Sequence, residues 1–265
     1  MAEGRSEIAE VRGQSEKVTA LQRQTRILRF SRITPAIFLL TSAICTAQTA
    51  DELIVKSLAA RGGADKLRSI QSMSMTGTLS FGDAGSPLIV KVARPDRIRE
   101  DFTVDGSAMT RAYDGASGWQ IQAGQPVDLA GGDLNNIREE AENAIEGPLV
   151  DYSKKGSKAE AMGKDTWGGK PVFKLKITTR QGTSITEFLD ASSYLEIHEE
   201  IERSANGKLI TIVEDIGDYR DVNGVKFAHR FVSGLRENPT ASILQIDRMQ
   251  LNVPVDAAVF KKPGK

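Results

Sequence analysis

From about residue 72 onward, apolar and polar side chains alternate along most of the chain. Met73, Met75, Leu79 and Phe81 alternate with serines and threonines, and Phe102 lies in a second stretch of the same kind. A period of two is typical of antiparallel strands that have one dry face and one wet face. We therefore expect a largely β structure.

Turn-forming pairs interrupt this alternation at short intervals, as in a chain of hairpins. Examples are Gly82-Asp83, Gln181-Gly182 and Asn223-Gly224. The stretches between the turns predict about eleven strands, at 72–81, 87–94, 96–105, 107–113, 117–122, 171–179, 183–190, 193–203, 208–219, 225–235 and 241–252.

Two stretches have the period of a helix instead. The first begins at Asp51, which can cap it, and ends at Gly62-Gly63. The second spans about 133–146 and has one apolar side, formed by Leu134, Ile137, Ala141 and Ile145. Such helices need an apolar surface to cover, and a sheet of a dozen strands must curl or split. We predict a mainly β (α+β) fold: a single strongly curved antiparallel half-barrel with a helical lid on its concave face.

The first 47 residues have a different character. Arg26, Arg29 and Arg32 precede an apolar run from Ile33 to Cys45, which is shorter than the roughly 20 residues that cross a bilayer. Small residues then follow, so the segment has the order of a signal peptide cleaved near Ala47. The predicted domains are an N-terminal extension with its signal peptide at 1–47 and a half-barrel at 48–265, located in the periplasm.

Two alternatives remain for this segment. The apolar run could be a short membrane anchor or a buried helix, or Cys45 could be lipidated. Lipidation requires a small residue directly before the cysteine, where this chain has Ile44. It usually also requires a leucine three positions before the cysteine, where this chain has Ser42. Cleavage remains the reading that fits the segment best.

Composition narrows the classes of function. The chain has 35 Lys and Arg against 35 Asp and Glu, so it has no basic excess for binding nucleic acid. Its one cysteine, Cys45, lies in the N-terminal segment. The domain at 48–265 therefore has no disulfide and no thiolate nucleophile or metal site.

Several short motifs along the domain resemble one known family in their order and spacing. They are Gly62-Gly63-Ala64-Asp65-Lys66, Arg94-Pro95-Asp96-Arg97, Tyr113-Asp114-Gly115 ahead of Gly118-Trp119, Phe188-Leu189-Asp190, Asp218-Tyr219-Arg220, Asn223-Gly224-Val225-Lys226-Phe227 and Leu251-Asn252-Val253-Pro254-Val255-Asp256. Together they resemble the periplasmic outer-membrane lipoprotein-sorting proteins related to LolA. This resemblance implies a half-barrel of about eleven strands with a helical lid, which binds lipid or lipoprotein acyl chains in its concavity.

Candidate polar chemistry is sparse. In a regular strand Glu196, His198, Glu200 and Glu202 would share one face, which could hold a divalent metal but is predicted to be a solvated polar face. His229 lies on an apolar face and is predicted to be a hydrogen-bonded histidine at the rim of the core. An enzyme needs convergent polar residues in the concavity, and the sequence shows none. We expect no catalytic residue, no metal and no cofactor.

The aromatic and methionine residues on the apolar face are the better candidates for a binding site. They are Met73, Met75, Phe81, Phe102, Met109, Phe173, Phe227 and Phe231. They could form an ordinary core, or they could line a pocket for a variable apolar guest. The predicted function is a monomeric carrier or sensor of a lipid or acylated lipoprotein, with inner- or outer-membrane envelope proteins as candidate partners. The alternative is a regulatory or assembly module that binds a protein or peptide and fills the concavity with its own side chains.

Overall fold

The computed structural model describes residues 48–104, 106–205 and 208–264. The signal peptide and the domain boundary predicted around Ala47 concern residues outside these ranges. Three α-helices are described: α1 (Ala50–Ala60), α2 (Ala64–Ser69) and α3 (Gly131–Asn143), with a 3-10 helix at Ala257–Phe260. The described strands are β1 Ser72–Phe81, β2 Ala84–Ala93, β3 Arg97–Val104, β4 Ser107–Tyr113, β5 Gly118–Gln122, β6 Gln125–Asp128, β7 Lys158–Trp167, β8 Lys170–Thr178, β9 Ser184–Asp190, β10 Glu196–Ala205, β11 Lys208–Gly217, β12 Arg220–Val222, β13 Val225–Phe227, β14 Arg230–Leu235 and β15 Asn238–Leu251.

Thirteen of these strands form one sheet, in the order β6-β5-β4-β3-β2-β1-β15-β14-β11-β10-β9-β8-β7. The pairing of neighbouring strands is antiparallel, and the sheet is open because its two end strands, β6 and β7, do not pair with each other. Strands β12 and β13 form a separate hairpin. The predicted class, mainly β with a large antiparallel sheet, is confirmed.

The predicted strand count was too low, because the sheet has thirteen strands rather than about eleven. Within this sheet, the two strands without a counterpart in the prediction are β6 and β7, which are its two edges. The prediction also missed β12, and the single strand predicted at 225–235 is divided into β13 of the separate hairpin and β14 of the sheet. Most side chains of β7 are exposed, and β6 has four residues with Pro126 among them. Edge strands with polar residues or proline show little apolar alternation, so periodicity does not reveal them.

The start of α1 also differs from the prediction. Thr49, not Asp51, is the N-cap: its Oγ1 accepts a hydrogen bond from the Glu52 N–H (3.2 Å), and the Glu52 carboxylate accepts one from the Thr49 N–H (3.1 Å). This reciprocal pair is a capping box. The predicted end at Gly62-Gly63 is confirmed, since both glycines have positive φ there.

Helix α3 contacts both halves of the sheet. It packs on β3, β4 and β5 and also on β10, although five strands separate β3 from β10 within the sheet. One helix can reach both only if the sheet curves around it. The core lies on this concave side, with Leu53 and Ile54 from α1 and Ile137 from α3. Within the described ranges, no helix combines the length and apolar character needed to cross a membrane.

Candidate functional site

A cavity of about 470 Å³ lies between the concave face of the sheet and α3 with the segment that follows it. This volume is in the range of small-molecule sites, which is roughly 300–1,000 Å³. Strands from both halves of the sheet contribute to its wall. The apolar residues of the wall include Met73, Met75, Leu88, Val90, Ile98, Ile185, Ile201, Ile216, Phe227, Phe231, Leu244, Ile246 and Met249.

Four of the eight predicted ligand-binding residues line this cavity: Met73, Met75, Phe227 and Phe231. The other four lie elsewhere on the fold. Phe81 ends β1 and is 43% exposed, Phe102 packs against the core beside its cross-strand partner Met109, and Phe173 stacks on Tyr194 with ring centroids 5.6 Å apart. Strands β4 and β8 contribute no residue to the cavity wall, so Met109 and Phe173 lie outside it.

The predicted lid residues pack α3 against the sheet. A Cβ on Gly118 would lie 3.1 Å from the side chains of both Leu134 and Ile137, so this glycine allows close packing of the helix on β5. Ile137 and Ala141 are fully buried in the core, and Leu134 is partly buried. Of the four, only Ile145, just beyond the helix, lines the cavity.

The side of α3 that faces the cavity is polar, which the sequence did not lead us to expect. Asn136, Glu139, Glu140 and Asn143 line the cavity. Glu139 is 9% exposed, and its Oε2 accepts a hydrogen bond from Thr183 Oγ1 (2.7 Å). Its Oε1 is buried without a hydrogen-bond partner among the described residues.

A β-bulge in β10 places Glu196 on the side of the strand that faces the cavity, together with Glu199. The register between β9 and β10 shifts between Glu196 and His198, so Glu196 and Glu199 face the same side although they are three residues apart. The prediction that Glu196 shares a face with His198 is therefore wrong. A regular strand would alternate throughout, and the extra residue at the bulge reverses the alternation.

Three glutamates from neighbouring strands lie in cross-strand register. Glu199 of β10 is paired with Glu187 of β9 on one side and with Glu214 of β11 on the other. All three line the cavity, and Glu187 is 2% exposed. We call these three residues the glutamate ladder. Cβ atoms at such paired positions lie about 4.5–5.5 Å apart, and like charges there repel each other.

Burial shifts the protonation of the ladder. Burial raises the pKa of Glu187 to about 8, with a further contribution from the charge of Glu199. Burial likewise raises the pKa of Glu214 to about 7 and that of Glu199 well above its ordinary value, where Glu196 and Glu214 add to the effect. The ladder therefore retains protons at neutral pH that an exposed glutamate would have lost.

Cations compensate only part of the acidic wall. Arg111 pairs with Glu100 and Glu140, at 2.7 Å from its Nη2 to each carboxylate. The cavity is also lined by Arg61 and Arg203. Among the described residues, Glu139, Glu196 and the ladder have no salt bridge to a lysine or arginine. The expectation that the concavity lacks convergent polar side chains is therefore wrong.

The two histidines lie outside the cavity wall. His229 is buried and its Nδ1 is 2.9 Å from the carbonyl oxygen of Phe227, which confirms the predicted hydrogen-bonded histidine. His198 is 2% exposed, stacked on Trp167 at 3.7 Å between ring centroids and bonded to Asp215 at 2.8 Å. The predicted solvated face is thus wrong for His198, because the undetected strand β7 ends in the tryptophan that covers it.

The described residues contain no group of three His, Cys, Asp or Glu side chains arranged to hold a metal ion.

The inward position of two ladder glutamates could have been predicted from the sequence. Glu187 lies two residues from both Ile185 and Leu189, and Glu214 lies two residues from both Ile212 and Ile216, so each glutamate shares a strand face with two apolar residues. A charged residue in an apolar series of alternate positions indicates a buried carboxyl group or a site.

Comparisons with known proteins find similarity in structure only. No protein-family model matches the chain, and no curated protein matches it. An outer membrane lipoprotein-sorting protein domain from Vibrio parahaemolyticus is similar with a TM-score of 0.52 at 13% identity, over 80% of this chain and 97% of that one. A LolA superfamily protein from Nitrosomonas europaea is similar with a TM-score of 0.53 at 13% identity, over 82% and 99%.

These similarities extend over nearly the whole described domain, so the chain has the LolA-like fold. The predicted resemblance is confirmed at that level. At 13% identity the similarity establishes the fold alone, and function has to be argued from the cavity.

Proposed function

We propose that this protein is a carrier that holds the alkyl chain of a lipid or an acylated lipoprotein in its cavity. The observation that supports this most is the cavity of about 470 Å³ between the curved sheet and α3, with methionine and phenylalanine side chains in its wall. Flexible methionines adapt to apolar guests of different shape. A module that fills its concavity with its own side chains would leave no such space.

The energetics suit this role. Burial of a methylene contributes about 0.8 kcal/mol, so a fourteen-carbon chain offers on the order of 10 kcal/mol before costs. Association costs at least several kcal/mol of that. The remainder is an affinity compatible with a carrier that must also release its guest.

The proposal includes export to the periplasm, with cleavage near Ala47. The basic residues Arg26, Arg29 and Arg32 ahead of a short apolar run support it. N-terminal sequencing of protein expressed from the full chain should give a start at Gln48 or within a few residues of it. A mature protein that retains Phe38–Leu40 would contradict export by this route.

A fluorescent fatty-acyl probe tests the carrier function directly. Ala144 lines the cavity, so Ala144→Phe places a ring inside it and should weaken probe binding at least about tenfold. Ala59 is exposed on α1, and Ala59→Phe, the same substitution on a helix surface, should bind the probe like wild type. Folded wild-type protein that binds no probe, or equal binding by Ala144→Phe, would overturn the proposal and favour a module that binds a protein partner.

A further inference from the structure

The cavity has an acidic part as well as an apolar one. Five of its lining glutamates have no basic partner among the described residues: the ladder of Glu187, Glu199 and Glu214, together with Glu139 and Glu196. Only two arginines, Arg61 and Arg203, line the same space. The charge of Arg61 opposes the effect of burial on the pKa of Glu187 and Glu196, and Arg203 Nε is buried without a hydrogen-bond partner among the described residues. None of the five glutamates forms a salt bridge with either arginine.

Glu139 provides an observation independent of the ladder. It comes from α3, on the side of the cavity formed by the helix, and it is nine-tenths buried. Thr183 fixes one of its oxygens, while Oε1 has no hydrogen-bond partner among the described residues. A buried acceptor without a partner is energetically costly, so this oxygen is suited to receive a donor from a guest.

The two acidic surfaces lie near each other. The charge of Glu140, the neighbour of Glu139 on α3, adds to the effect of burial on the pKa of Glu214 in the ladder. A charged group placed between α3 and the ladder therefore interacts electrostatically with the carboxyl groups of both. Carboxylates only accept hydrogen bonds, whereas an ammonium group donates three. Hydrogen bonds between charged groups are about twice as strong as neutral ones.

We propose that the guest is an amphiphile with a primary ammonium group, and that this group sits between the glutamate ladder and the acidic side of α3. The alkyl chain then lies along the methionine and phenylalanine wall. The inference rests on the proposed carrier function and adds the chemistry of the headgroup. One bound ammonium stabilises the ionised form of the ladder carboxyl that it contacts, in place of the proton held there without a guest, and supplies a donor to Glu139.

Three ligands with the same alkyl chain separate the headgroup from the chain. We would measure binding of dodecylamine, 1-dodecanol and dodecanoate to the wild-type protein at pH 7 by calorimetry, below their aggregation concentrations. The expected result is that the amine binds at least about tenfold more tightly than the alcohol, with dodecanoate weakest. Equal affinities for amine and alcohol, or preference for dodecanoate, would overturn the headgroup assignment and leave the carrier function intact. Failure of all three to bind would overturn both.

A matched pair of variants locates the preference. Glu199→Gln, at the centre of the ladder, should reduce the amine-to-alcohol ratio about tenfold while alcohol binding stays the same. Glu202→Gln changes an exposed residue of the same strand and should leave the ratio unchanged. Glu187→Gln provides a second ladder variant should the first fail to fold. An unchanged ratio in a folded ladder variant, or an equal loss in Glu202→Gln, would contradict the proposed site.

Discussion

Glu199 and Glu214 are paired across neighbouring strands, and both side chains line the cavity. Glu187 occupies the equivalent position on the other side of Glu199. Glu187 is buried and the other two are partly buried, and three carboxyl groups in such a row cannot all be ionised without strong repulsion. We therefore expect the cavity to retain protons near neutral pH, which the pH dependence of folding stability can test.

We expect the folded state to lose stability between pH 7 and pH 9. The pKa of Glu187 is raised to about 8 by burial and by Glu199, so over this interval the folded state binds more protons than the unfolded chain. The stabilisation is fully present below the ordinary glutamate pKa and is lost as the pH rises through about 8. Urea unfolding at the two pH values measures it.

The matched controls for this titration are Glu187→Gln and Glu202→Gln. The first replaces the buried carboxyl with a neutral group and should weaken the dependence on pH, while the contributions of Glu199 and Glu214 remain. The second changes an exposed residue on β10 and should keep the wild-type dependence. Stability that is constant or rises from pH 7 to pH 9 in the wild-type protein would contradict the raised pKa values of the ladder.

Glu146 anchors the segment that follows α3. Its buried carboxylate pairs with Arg94 and, at 2.9 Å, with Lys155 Nζ, while its carbonyl accepts a hydrogen bond from Arg61 (3.0 Å). Removing one member of a buried pair costs about 3–5 kcal/mol. Glu146→Ala should therefore lower the free energy of unfolding by about that amount and speed amide exchange in α3.

The control for the anchor is Glu142→Ala, on α3 itself. Glu142 pairs with Arg180 at 3.3 Å, and the arginine side chain is more than half exposed. Exposed pairs contribute less than about 1 kcal/mol, so this variant should unfold close to wild type. Similar losses in the two variants would mean that the buried pairs of Glu146 do not hold the segment in place.

Two phenylalanines distinguish a packed side chain from one that faces open space. Phe188 is buried on the outer face against Trp167 and His198, whereas Phe231 lines the cavity and is only partly buried. Phe188→Ala should cost about 3–5 kcal/mol and Phe231→Ala clearly less. Urea unfolding of both variants provides the comparison, and equal losses would indicate a filled concavity.

Alternation in the sequence predicted most strands of the sheet, because strands inside a half-barrel have one buried face. It missed β6 and β7 because edge strands bury little surface and their sequences therefore do not alternate between apolar and polar residues. The capping box of Thr49 was also readable, since a threonine followed three residues later by Glu52 is its usual sequence. The prediction placed the cap at Asp51 instead.

The site was only partly predictable. The inward positions of Met73 and Met75 follow from the alternation along β1. Phe227 and Phe231 also line the cavity as predicted, although they lie in β13 and β14 and not in one strand. The inward position of Glu196 does not follow from alternation, because the bulge beside it reverses the alternation within a strand and leaves no clear mark in the local sequence. The register that pairs the ladder glutamates also depends on turn geometry and long-range packing, which a single sequence does not determine.

Methyl NMR of the methionines is the most direct test of the central claim that the cavity holds an alkyl chain. Met73, Met75 and Met249 line the cavity, while Met109 lies outside its wall and Met162 is half-exposed on β7. Titration of methyl-labelled protein with 1-dodecanol should shift the signals of the first three in a saturable manner and leave the other two in place. Shifts confined to Met162 and Met109, or no saturable shift at any of the five, would contradict the claim.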